Sequence, residues 1–164
     1  MKLKIDLSRQ SNFILALLLI YFVFFGYICN VYVTYNFKGQ VSSVKDISVK
    51  LLFLYQILFS PESILSLLIL FLIVFIMALR EDFFEYAIRN SIWLIPAILI
   101  MAWIWHWIIY GFDIFIISTF FSRWEGYVTI LSLFGINLLS SISAVVIKQK
   151  YIQWMGKSEE LITN

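Results

Sequence analysis

The chain alternates long apolar runs with short polar punctuation. A polar start carrying Lys2, Lys4, Asp6 and Arg9 gives way to an apolar run from Asn12 to Val33, closed by Thr34, Asn36, Lys38 and Gly39. A second run, Ser63 to Leu79, holds no charge at all. A third runs from Ser91 to Phe112, and a fourth from Tyr127 to Ile147, ended by Lys148 and Lys150. A helix needs about 20 mostly apolar residues to cross roughly 30 Å of hydrocarbon. Each run reaches or approaches that length, and none shows the period-two alternation of a barrel strand. Pro61 and Glu62 suit the first turn of the second helix, and Asn90 or Ser91 offers an N-cap for the third. The pattern therefore predicts an all-α, polytopic membrane protein with four transmembrane helices over about 12–33, 63–79, 91–112 and 127–147. They form a single transmembrane domain over residues 1–164. A shorter apolar run at 49–60, broken at Pro61, predicts one short interfacial or re-entrant helix.

Composition supports this reading. Hydrophobic residues are 62% of the chain, charged residues 13%, and mean hydropathy is +0.93. A soluble domain has roughly 45–50% apolar and about 25% charged residues, so a water-soluble globule is excluded. Six glycines and two prolines exclude collagen-like and linker-like classes. The first apolar run is too long for a signal-peptide core and lacks a small-residue exit, so an uncleaved first helix is expected.

Charge adds orientation. Twelve basic and ten acidic residues leave a net charge of +2, with no basic stripe for nucleic acid. With four spans, one side holds eight basic residues: Lys2, Lys4, Arg9, Arg80, Arg89, Lys148, Lys150 and Lys157. The other holds four: Lys38, Lys45, Lys50 and Arg123. The excess places both termini in the cytoplasm. Usage rich in Ile and Phe and poor in Ala points to an AT-rich genome. A bacterial inner (plasma) membrane is the expected location, with an organellar inner membrane as the alternative.

Chemistry-bearing residues are few. One cysteine, Cys29, and one histidine, His106, rule out an internal disulfide, a C-x-x-C pair, an H-E-x-x-H motif and a bis-His haem site within the chain. No enzyme activity, cofactor or metal is expected.

Four features remain as candidates. Trp103, His106, Tyr110 and Asp113 are spaced 3, 4 and 3 apart, which puts them on one helical stripe. Such a stripe could handle protons or bind a small ligand, whereas an aromatic belt at the membrane interface is the plainer reading. The fourth run is rich in small and polar residues. Asn137, Ser140, Ser141 and Ala144 share one face, and Ser132, Gly135, Leu139 and Ser143 share the next. Small residues permit close helix approach in lipid, so these faces serve packing within the bundle or contact with a partner. Gly26, Cys29 and Asn30 form a smaller version in the first run, expected to pack on the fourth. Between the second and third runs, Glu81, Asp82, Phe83, Phe84 and Glu85 form a solvated amphipathic turn or a cytoplasmic docking loop. The tail, with Lys148, Lys150, Tyr151, Trp154 and Lys157, reads as an anchor on anionic lipid.

Three functions follow as expectations. The first is a non-catalytic integral membrane subunit, or accessory or assembly factor, of a larger membrane complex. Its partners would be the bilayer and other integral membrane proteins. The second is a membrane-embedded protective protein. In size, span count and basic ends the chain is similar to immunity proteins against pore-forming bacteriocins, a likeness of architecture without a shared motif. The third is a proton- or ligand-handling protein using His106, Tyr110 and Asp113.

Overall fold

Runs rich in Leu, Ile and Phe with sparse Gly and Pro fold as helices, and helix is the only regular structure among the described residues. The computed structural model describes residues 7–29, 53–59, 64–81 and 83–163. The elements are α1 (Leu7–Leu19), a π-helical segment (Ile20–Cys29), α2 (Phe53–Phe59), α3 (Ile64–Arg80), α4 (Phe84–Tyr110), α5 (Phe115–Ser122) and α6 (Trp124–Thr163). Helices α4 and α6 are long and apolar enough to cross a membrane. The stretch Gln10–Gly26 and α3 are also apolar but shorter. At 1.5 Å per residue, the 17 residues of α3 span only about 25 Å. Of the four expected spans, two are thus matched by length and composition.

Several boundaries depart from the sequence pattern, each for a physical reason. Helix α4 begins at Phe84 rather than at Ser91, with Phe83 as an extended N-cap that makes no side-chain cap bond. Asn90 and Ser91 are therefore not caps. The Ser91 hydroxyl instead donates to the carbonyl of Ile88 one turn back, at 2.7 Å. Helix α6 does not stop at Lys148 but continues to Thr163. Its 40 residues make it about 60 Å long, twice a hydrocarbon core. Charges end an apolar span without ending a helix. Helix α5 lies in what reads as a connector. Ile116 and Phe120, one turn apart, are both buried and fasten it to the bundle.

The core is built where these elements meet. Ile20, Phe24 and Phe25 from the π segment pack with Leu70 and Val74 of α3, Leu94 and Ile98 of α4 and Leu133 of α6. Helix α2 contributes Leu54, Ile57 and Leu58, all buried, so this short helix is turned into the core. A second, smaller cluster joins Ala78 of α3, Ala87 of α4 and Ala144 of α6. Three alanines there let three backbones approach closely. Two glycines carry the turns. Gly111 ends α4 at φ 94°, a left-handed conformation that L side chains rarely adopt. A Cβ on Gly126, in the first turn of α6, would clash with the Phe120 carbonyl oxygen of α5, so no larger residue fits there.

Candidate functional site

Helix α6 positions four of the eight polar side chains buried among the described residues. Thr129, Asn137, Ser140 and Ser141 are all fully buried. Asn137 Nδ2 donates to the Ser91 carbonyl of α4 at 3.0 Å, and Ser140 Oγ donates to the Phe71 carbonyl of α3 at 2.7 Å. The hydroxyls of Ser91 and Ser141 face each other at 3.4 Å, while Ser141 also donates to the carbonyl of Leu138 in its own helix at 3.1 Å. Asn137 thus links α6 to α4, and Ser140 links it to α3, three residues on. The other amide atom, Asn137 Oδ1, is buried with no hydrogen-bond partner among the described residues. An amide that satisfies only its donor retains a desolvation cost.

The expected neighbouring face behaves differently. Ser132 is half-buried, and so is Ser143, whose hydroxyl donates to Leu139 of the same helix at 2.7 Å. Gly135 is exposed, and a Cβ built on it would meet nothing within 4 Å. Around it stand Leu131 at 70% exposure, Leu139 at 61%, Phe134 and Ile142. The result is a small notch on a bulky apolar surface.

The aromatic stripe is only partly assembled. His106 is buried, and its ring lies 4.8 Å from that of Tyr110. Trp103 meets Phe120 and Phe121 of α5 edge-on at 6.2 Å. Asp113 is not on the stripe, because α4 ends at Tyr110 and the chain turns at Gly111. Its Oδ1 accepts from the Phe115 amide at 2.9 Å, which caps the start of α5. Its carbonyl accepts from Trp107 Nε1 at 2.8 Å. The helical register that linked His106 to a carboxylate is therefore broken. Trp105, which lies off the stripe, meets Tyr21 of the π segment at 5.5 Å.

The first-run face is also altered. A π-helix advances by i→i+5 bonding, so the 3.6-residue register of Gly26, Cys29 and Asn30 does not hold there. Gly26 is half-buried, with the Trp105 ring 3.9 Å from where its Cβ would be. The first segment packs mainly on α3 and α4 rather than on α6. Asn30 lies outside the described residues.

The docking loop is divided. Phe83, Phe84 and Glu85 are exposed, and Asp82 lies outside the described residues. Glu81 departs from the expected solvated turn, since it is 3% exposed. Asn90 Nδ2 donates to its Oε1 at 3.1 Å, and Lys148 Nζ donates to its carbonyl at 2.7 Å. The α3–α4 corner is thereby tied to α6. Sequence reasoning missed this because the partners lie nine and 67 residues away. Lys148, expected as a lipid anchor, is half-buried and bonds within the chain. No group of three or more His, Cys, Asp or Glu converges on a metal position among the described residues.

No family model matches the chain, and no curated protein or solved structure is found to resemble it.

Proposed function

We propose that the chain is a non-catalytic integral membrane subunit, or an accessory or assembly factor, that acts through helix–helix contacts in the bilayer. The supporting observation is the division of α6. Its hydrogen-bonding residues turn inward, and its outer face is apolar with an open notch at Gly135. Monomeric soluble proteins rarely expose contiguous apolar patches beyond a few hundred Å². Here Ile64, Leu131, Leu139 and Ile108 are each more than half exposed. A lipid environment suits that exterior, and a small residue on it lets a second helix approach closely. In this reading the π segment with α1, and α3, cross alongside α4 and α6, with α2 re-entrant and both termini cytoplasmic.

The test is gentle detergent extraction from the native membrane followed by native mass measurement. The subunit reading expects a mass larger than the chain with its bound detergent. A lone monomer recovered under several mild detergents overturns it and leaves the protective-protein reading in place.

A further inference from the structure

The connection between α4 and α6 folds back along α4 instead of projecting beyond it. Both ends of α5 are held at levels short of Tyr110, the last residue of α4. Trp107 Nε1 donates to the Asp113 carbonyl at 2.8 Å, and the Trp103 ring meets those of Phe120 and Phe121 at 6.2 Å. Trp107 and Trp103 stand about 5 and 10 Å back from the helix end at 1.5 Å per residue. Helical side chains lean toward the N-terminus, which sets both contacts further back still.

The connection closes much of its own hydrogen bonding and leaves its apolar groups open. Asp113 Oδ1 accepts from the Phe115 amide, and the Gly111 amide donates to the Trp107 carbonyl. The hydroxyls of Ser118 and Ser122 donate to the carbonyls of Phe115 and Ser118. Phe112, Ile114 and Phe115 are 75%, 63% and 72% exposed, and Phe121 is exposed beside them. Helix α5 therefore fastens to the bundle through Ile116 and Phe120 and turns Phe115 and Phe121 outward.

Depth decides what covers that outward face. No Asp, Glu, Lys or Arg stands between Arg89 and Asp113. A hydrocarbon core of about 30 Å measured from Arg89 takes about 20 helical residues and ends near Ile109. Trp107 and Trp103 lie about 3 and 9 Å inside that edge, and they hold α5 inside it with them. Aromatic side chains collect at this boundary, and interfacial helices bury their apolar faces about 5–10 Å into it. We infer that α5 and the turn before it form a foot embedded in the leaflet at that end of α4, with Phe112, Ile114, Phe115 and Phe121 among the acyl chains. The inference rests on the membrane reading above. It removes the α4–α6 connection from the surfaces open to a soluble partner.

The experiment places a nitroxide label on the full chain, in a Cys29→Ser background, in phosphatidylcholine nanodiscs whose two faces both meet solvent. Labels go at Phe115→Cys, at Ile100→Cys on the exposed side of α4, and at Glu85→Cys at the opposite end. Collisions with oxygen, which enters hydrocarbon, are compared with collisions with a polar nickel chelate, which does not. The Phe115 label is expected to be about ten-fold less accessible to the chelate than the Glu85 label, because a polar solute pays to enter an apolar medium. Its oxygen accessibility is expected to match that of the Ile100 label. Phe112→Cys, with helix content as the fold control, repeats the reading at a second position and is expected to agree. Chelate access at Phe115 equal to that at Glu85, with Ile100 protected, overturns the foot alone. Chelate access at both Phe115 and Ile100 defeats the membrane reading itself. A Phe115 label closed to oxygen and chelate alike also overturns the proposal, since protein and not lipid would then cover the face.

Discussion

The two faces of α6 come from one stretch of sequence and meet opposite surroundings. Thr129, Leu133, Asn137, Ser140, Ser141 and Ala144 are buried, and four of these six are polar. Leu131, Phe134, Leu139, Ile142 and Val146 are exposed, and all are large and apolar. A soluble amphipathic helix has the reverse arrangement. In the membrane reading proposed above, the inversion lets the chain manage hydrogen bonding without water. A polar group in lipid needs a protein partner, and the carbonyls of Ser91 and Phe71 supply it. Gly135 is the exception on the outer face, small where its neighbours are large, and it makes no side-chain contact within the chain.

The comparison can be broken most severely from inside. Leu133→Ala is expected to destabilise the bundle by about 2–5 kcal/mol, because a fully buried Leu leaves a cavity. Denaturation in mixed micelles followed by circular dichroism would show it, and a loss below 1 kcal/mol would mean that α6 is loosely packed. Asn137→Asp comes next, at about 3 kcal/mol. It places an acceptor-only charge against the Ser91 carbonyl and removes the amide that donates there. Asn137→Leu should cost far less, about 0.6 kcal/mol, the usual worth of one interhelical hydrogen bond in a membrane protein. The unpartnered Oδ1 makes this substitution milder still. If Asn137→Leu proves as damaging as Asn137→Asp, hydrogen bonding rather than packing holds the helices together. Smallest on stability is Gly135→Leu, expected within about 0.5 kcal/mol of wild type in the same denaturation, since the site is open. Its effect should fall on partner recovery instead.

How much of this was legible in the sequence depends on the distance over which each feature is determined. The apolar runs are local, and they give helices at all four predicted spans. The inward turn of Asn137, Ser140 and Ser141 was one of two readings open for that stripe, because spacing places residues on a face without saying what the face meets. Features set by distant partners were not readable. Glu81 is buried because Asn90 and Lys148 converge on it, and neither lies within its own turn. Asp113 is off its stripe because Gly111 ends α4, a signal in the sequence that overrides the 3-4-3 spacing. Helix α5 could have been found from the same place, since Asp113 stands two residues before Phe115, where it caps. The π segment has no pattern to announce it. Its bulky run Ile20–Phe25 reads equally well as α-helix.

The central claim is that the inner face of α6 is completed by this chain and its outer face by another. The most direct measurement compares wild type with Gly135→Leu by native mass after mild extraction, with helix content as the fold control. The account predicts a complex for wild type and a monomer of native helicity for the variant. Equal recovery of the complex from both would contradict it.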